Sequence, residues 1–400
     1  MSTTRTSFSS LSLLPASPIP SRAFSFSGGN KPNGIWAVAG NLSMKTQILV
    51  VKLSSLGDIL HALPVVAALQ RELDAEIDWA VQPAFAGLVE SFACVTNVIR
   101  TPRPSDLVGY FRAIRMIRRK RYDVVLDLQG LLKSAIVSRA ARAPRVIGPS
   151  FAREGSRFFY SELSSPLCRK RSRHAVDELF DFLGKFSVPI PEKAAFPLRL
   201  PEAFPDEWGK DVANESGPRI AIAPFSRWTT KNWPAGHFSA LCRLLSARYK
   251  ARLYLIGGAG DRTAAQAIAD EAGVPVANLC GKLSLLQSAA LLRVCTVLVT
   301  NDSGPMHLSV AVGTPCVALF GPTSPNRTGP YGSSHTVLQA TGLPSCCPCH
   351  SRSCGLKSGI CLHSISPEMV LSAIEKNSLP SHSVQILPPP NARSPINLRG

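Results

Sequence analysis

Short apolar runs, each stopping in a polar or glycine-containing turn and followed by helical periodicity, occur in two successive series along this 400-residue chain. That alternation constrains the fold more than any other feature. Strand, turn, helix, strand units return each strand parallel to the last and build a sheet covered by helices on both faces. The first series opens with QILVVKL from Gln47, the polar loop Ser54-Ser55-Leu56-Gly57-Asp58 and an apolar-periodic segment from Ile59 through Leu73. EIDWAV (Glu76 to Val81) and DVVLDL (Asp123 to Leu128) continue it, separated by an Ala/Leu/Val segment and a basic helix ending near Tyr122. The second series follows the Pro- and Gly-containing stretch Pro201 to Pro218. Its expected strands are RIAIAP, RLYLIG, VANLC, VLVTN and PCVALFG, beginning at Arg219, Arg252, Val276, Val297 and Pro315. The chain is therefore expected to be α/β, with two Rossmann-like doubly wound domains, 44–205 and 206–377, facing across a cleft. Ligand-facing loops should sit at the strand carboxyl ends.

The first 43 residues hold ten Ser, three basic residues (Arg5, Arg22, Lys31) and no acid, the first acidic side chain being Asp58. Such a leader reads as an organellar transit peptide, Ser richness favouring the chloroplast stroma over the mitochondrion. The apolar run Leu11 to Leu14 is too short for a secretory core, and no run of apolar residues is long enough to span a membrane. Residues 378–400, with Pro388, Pro389 and Pro390, read as a disordered tail. Without the leader the body keeps an excess of 15 positive charges, so an anionic partner is expected. The basic residues concentrate in Arg112 to Arg121 and Arg169 to Arg173 without aromatic interleaving. That pattern disfavours nucleic acid and suits a phosphate-bearing small molecule, or an anionic glycan or glycolipid acceptor at a membrane surface.

Two turns carry residues of chemical interest. Asp58 follows Gly57 at a strand-to-helix turn, where a carboxylate either caps the helix or faces the cleft and takes the proton of an attacking hydroxyl. Lys231, just after RIAIAP, is either a solvated cation or a point charge for a phosphate. The Ser303-Gly304 backbone opens the helix containing His307 and can aim N–H groups at phosphate oxygens.

Lys52-Leu-Ser-Ser-Leu-Gly-Asp58-Ile-Leu-His-Ala-Leu-Pro64, Ser226-Arg-Trp-Thr-Thr-Lys231-Asn-Trp233-Pro and Thr300-Asn-Asp302-Ser-Gly304-Pro-Met-His307-Leu, followed by ALFGPTSP (Ala318 to Pro325), occur in that order. Together they resemble the ADP-heptose:lipopolysaccharide heptosyltransferase family over roughly Lys45 to Ile374. The resemblance implies a GT-B fold and an inverting transfer from an ADP-heptose-like donor that requires no metal or other cofactor. Asp58 would be the general base, and Lys231 the charge on the leaving diphosphate. Ser226, Arg227, Leu283 (near the adenine), Asp302, Ser303, Gly304 and His307 would form the donor site, with a further contact from Asp261 or Arg262. On the acceptor side the matches are Ser55, Gly57, Gln129, Lys133, Arg153 and His174. There the pattern departs, since acidic Glu178 stands where an arginine is implied. Two rivals share the element order: a catalytically silent nucleotide-sugar-binding regulator, and a transferase or epimerase acting on another nucleotide sugar.

Five cysteines, Cys346, Cys347, Cys349, Cys354 and Cys361, crowd into an insert at 345–363. Cys346, Cys349, Cys354 and Cys361 could hold a structural Zn²⁺, form disulfides, act as a redox switch or remain thiols. None of these makes them catalytic.

Overall fold

The computed structural model describes residues 45–168, 171–201, 217–339, 345–354 and 361–377. The expected leader, the tail from residue 378, residues 202–216 around the expected domain boundary and part of the cysteine-rich insert lie outside them.

Two six-stranded parallel sheets form. The first contains β1 (Gln47–Val51), β2 (Glu76–Val81), β3 (Asn97–Arg100), β4 (Val124–Asp127), β5 (Arg145–Gly148) and β6 (Glu162–Leu163), in the order β3-β2-β1-β4-β5-β6. The second contains β7 (Arg219–Ala223), β8 (Arg252–Leu255), β9 (Val276–Asn278), β10 (Val297–Asn301), β11 (Cys316–Phe320) and β12 (Thr336–Gln339), in the order β12-β11-β10-β7-β8-β9. Counted within each sheet, both follow the same path, with the first and fourth strands side by side at the centre. The winding direction reverses there, between β1 and β4 and between β7 and β10, which opens a crevice at the strand carboxyl ends.

Helices α1 (Leu56–Leu73), α2 (Pro83–Glu90), α3 (Leu107–Arg119), α4 (Leu132–Ala140) and α5 (Ala175–Phe180) belong to the first lobe. The second carries α6 (Ala235–Tyr249), α7 (Arg262–Ala272), α8 (Leu285–Val294), α9 (Gly304–Val312), α10 (Pro325–Thr328) and α11 (Pro367–Asn377). Among the described residues no helix is long and apolar enough to cross a membrane.

From Ile59 to Leu69 every residue of α1 is buried. Each fully buried Leu or Ile contributes about 1.5–3 kcal/mol, enough in sum to hold the helix despite Pro64, whose missing N–H interrupts its ladder. The apolar cluster around α1 continues into the second lobe through Ala221, Ala223, Leu291 and Leu308, so the two lobes share a core. The opposite face of the first sheet is covered by α3 and α4 through Ala113, Ile117 and Val137, which pack on Leu49, Val51, Ala80 and Val125.

Candidate functional site

At the end of β1 the chain turns through a loop fixed from β4's side of the crevice. The side-chain carbonyl of Gln129 accepts from the amides of Leu53 (2.8 Å) and Ser54 (3.3 Å). Ser55 caps α1, and Asp58, at the third helical position, accepts from its amide (3.1 Å) and hydroxyl (2.7 Å). Asp58 thus supports the helix start as the reciprocal partner in a capping box, not as the cap itself. Its carboxylate is open to solvent yet crowded by protein. That crowding alone would raise its pKa. The Lys52 charge and the two Ser55 bonds outweigh it and hold the acid well below the usual carboxylate range. Lys52 is buried and donates to the Leu128 carbonyl at 2.7 Å. Burial pulls its pKa down, opposed by Asp58 and Asp127. Asp127 is a structural node, accepting from the amides of Gln129 and Gly130 and from the Tyr160 hydroxyl.

The second lobe presents a different turn. Asn301, closing β10, donates to the Pro224 carbonyl (2.7 Å) and accepts from the Trp233 amide (3.1 Å), which fastens the loop after β7. In that loop the Ser226 hydroxyl bonds locally to the Trp228 backbone, Arg227 is exposed, and Lys231 lies over the Trp228 ring. The Lys231 ammonium donates to Asp302 Oδ2 at 2.6 Å, and Thr323 donates to the same oxygen at 2.7 Å. The two predicted donor-site residues are therefore joined to each other. Ser303 caps α9 without a side-chain bond, leaving the first amides of that helix without this cap and suited to an anion. Leu283 is half-buried beside Ser284, the cap of α8. Asp261 accepts from the Gly258 amide at 2.8 Å within its own turn, while the Arg262 carbonyl accepts from Asn278.

Between these turns, α1 and α9 meet. A Cβ on Gly57 would lie 2.4 Å from Cδ2 of His307, and one on Gly304 would lie 2.7 Å from Leu56 Cδ2. Both contacts are far inside van der Waals range, so a side chain at either position must displace the neighbour that faces it, the His307 ring or the tip of Leu56. His61 Nε2 and His307 Nδ1 are 3.0 Å apart. The other ring nitrogen of His61 is buried with no hydrogen-bond partner. A buried lone pair without a partner costs less than a buried N–H, which assigns the proton to His61 Nε2, donating to His307. His174 Nδ1 accepts from the Val176 amide, so its Nε2 donates to the Gly329 carbonyl of the second lobe at 3.1 Å. Burial drives the pKa of His61 well below the ordinary value and that of His307 down to about 4. Both rings are neutral near pH 7.

Three cations important to the cleft's charge, Lys52, Arg171 and Arg327, are given no role by the sequence pattern. Arg171 forms an ion pair with Glu178 and covers the Phe151 ring. Glu178 is therefore half of a neutralised pair, where the sequence suggested a bare acid in place of an arginine. Arg327, on α10, is half-buried, and its Nε has no hydrogen-bond partner. Burial and then Arg171 lower its pKa, while Glu178 and Asp58 act in the opposite sense. Lys52, Arg153, Arg171 and Arg327 thus converge electrostatically around Asp58. Arg327 lies two residues beyond the quoted ALFGPTSP, and the carboxyl-end position of that segment was the available signal. Lys133 stands in the first turn of α4, and Arg153 is exposed on the loop whose amide bonds to Gly130.

Cys347, not Cys346 or Cys349, faces Cys361, with the sulfurs 3.2 Å apart. Burial and then the Cys361 contact push the Cys347 thiol up to about 12. Among the described residues no group of three or more His, Cys, Asp or Glu is placed to hold a metal ion. The insert instead supports the lysine loop: Thr230 donates to the Ser351 carbonyl, and Arg352 lies over the Trp228 ring.

Residues 110–359 match the model of glycosyltransferase family 9 (heptosyltransferase). Over 323 residues, covering 77% of this chain and 87% of its relative, the sequence is 30% identical to lipopolysaccharide heptosyltransferase 1 of Pseudomonas aeruginosa. Among solved structures, a family 9 glycosyltransferase from Veillonella parvula superposes with a TM-score of 0.70 at 24% identity, covering 83% of this chain and 98% of that one. The E. coli heptosyltransferase WaaC with ADP gives 0.66 at 25% identity, covering 83% of this chain and 100% of that one.

Proposed function

This chain belongs to glycosyltransferase family 9, with a GT-B fold, and we propose that it moves a heptose-like sugar from an ADP-sugar to an acceptor hydroxyl with inversion. The observation that carries this proposal is Asp58, an ionised, solvent-reachable carboxylate opposite a helix start suited to an anion. In the proposed step the acceptor O–H gives its proton to Asp58 as that oxygen forms a bond to the anomeric carbon. The bond to the diphosphate breaks on the opposite face in the same displacement, which inverts the centre. A weak base suffices, because the hydroxyl proton becomes acidic only as the new bond forms. The leaving diphosphate takes charge stabilisation from Lys231 and the first α9 amides, with Asp302 released from Lys231 to hold sugar hydroxyls. No metal is needed in this scheme, and turnover should persist in excess chelator.

The relatives named above supply the donor and acceptor classes: one is a lipopolysaccharide heptosyltransferase, another was solved with ADP. Arg153 and Lys133 favour an anionic glycan or glycolipid as acceptor. The acid-free, Ser-rich leader supports a plastid address; residues 1–43 fused to a fluorescent protein should carry it into plastids, and cytosolic fluorescence would refute this.

The deciding experiment is a binding and transfer screen of nucleotide sugars with wild type and Asp58→Asn. ADP-heptose should bind best, and the variant should bind it but not transfer it. Preference for a uridine or guanosine donor would remove the donor assignment, and undiminished turnover by the variant would remove the mechanism.

A further inference from the structure

Twelve large apolar side chains lie open among the described residues, and seven of them sit on three neighbouring elements of the first lobe. Four are on α3, two are on α4, and Phe158 is on the 3-10 turn Ser156–Phe159. Single exposed hydrophobics are ordinary, but a concentration of this kind marks a contact surface. The exposure is large where it matters: Val108 is 72%, Phe111 66% and Phe158 91% accessible. Helices α3 and α4 pack on the sheet face opposite the one joined to the second lobe, so this surface points away from the rest of the molecule.

Its charge is one-sided. The same three elements carry seven basic residues and no acidic one. The nearest acids, Asp106 and Glu154, are engaged with the backbone amides of Gly109 and Leu132. On α3 the inward positions are Ala113 and Ile117, while Leu107, Phe111, Arg115, Arg118 and Arg119 share the outward side. Apolar side chains dominate its first half and guanidinium groups its second. A helix face that sets bulky apolar groups beside a run of arginines matches a layer in which acyl chains and phosphates lie a few ångströms apart in depth.

We propose that this face docks the protein on an anionic phospholipid surface, with α3 lying in the interfacial plane. Lys133, on the same α4, places the acceptor side of the cleft next to that surface. The proposal is independent of the transfer reading, because docking requires no donor and no turnover.

The test is co-sedimentation of the full chain with vesicles of pure phosphatidylcholine and of phosphatidylcholine mixed with phosphatidylglycerol. Binding is expected only to the mixed vesicles, and it should weaken with added salt. Arg115→Glu with Arg119→Glu should lower partitioning on the order of twentyfold, at roughly fivefold per lost phosphate contact. Val108→Ser with Phe111→Ser should lower it independently, while Met369→Ser, on α11, should leave it unchanged. Mixed-vesicle binding that survives both double variants would overturn the proposal. So would self-association of the wild type abolished by the Val108/Phe111 pair, which would make this face an interface between two copies.

Discussion

The two lobes wind their strands along the same path, yet the helix starts at their centres are finished in opposite ways. In the first lobe the α1 terminus is closed by Ser55 and Asp58, which places an anion at the positive end of the helix. In the second the first turn of α9 has no acid, and the local anion, Asp302, is turned onto Lys231 and Thr323. One helix start has its charge supplied by the protein, and the other leaves room for charge from a ligand. A common scaffold can therefore hold a carboxylate on one side of a cleft and a helix start open to an anion on the other, according to whether an acid stands in the first turn.

The sharpest way to break this contrast is Asp58→Asn. We expect transfer to fall by about 10²–10⁴, the usual contribution of a general base, with donor affinity by calorimetry within about twofold of wild type. Lys231→Ala should behave differently, lowering kcat by roughly 10²–10³ as a lost transition-state donor does and weakening ADP binding as well. If both variants lose donor affinity equally, the lobes do not divide the work. The third test concerns the histidine seam. An unfolded histidine titrates near 6.5 and His307 near 4, so between those values the unfolded chain binds more protons. Stability present above about pH 6.5 should fall with pH and lose about 3 kcal/mol from His307 by about pH 4. His61 and His174, also lowered, add in the same direction. Urea unfolding across this range should show the loss, and His307→Gln should flatten it; an unchanged slope would show that the ring does not titrate with folding. The smallest expected effect is Gly57→Ala. Its Cβ must displace His307, which should cost about 1–3 kcal/mol as overpacking does, readable in the urea midpoint together with a raised KM. A variant as stable as wild type would mean the seam opens freely.

Much of the architecture was legible because central parallel strands are buried on both faces and read as continuous apolar runs. β1, β2, β4, β7, β10 and β11 are of this kind. β3, β6 and β12 escaped notice, being two to four residues long and half open to solvent; β5, also four residues, was lost between helix signals. The basic helix stops at Arg119, not near Tyr122, because Lys120 turns extended. Asp58, Lys231, Asp302 and His307 could be picked out because each follows a strand in a distinctive turn. Their partners could not. The His61–His307 contact joins residues 246 apart, and Lys231–Asp302 joins residues 71 apart. Local pattern carries no information about such pairings. Glu178 shows the cost: read alone it reversed the charge of its position, whereas Arg171, only seven residues earlier, neutralises it. Regular CxxC spacing likewise points to Cys346 and Cys349, although Cys347 is the sulfur that meets Cys361.

The facing glycines at the starts of α1 and α9 also bear on how such a molecule can diversify. A substitution at Gly57 brings a carbon against the buried His307 ring and must displace it, whereas one at Gly304 meets the tip of the Leu56 side chain, so the barrier to change is highest at Gly57. Exposed rim residues such as Arg153 face no comparable barrier. If the proposed reaction holds, new acceptors can be explored by changing the rim while the spacing between Asp58 and the start of α9 stays constant, which confines innovation to the mouth of the cleft and leaves its centre unaltered.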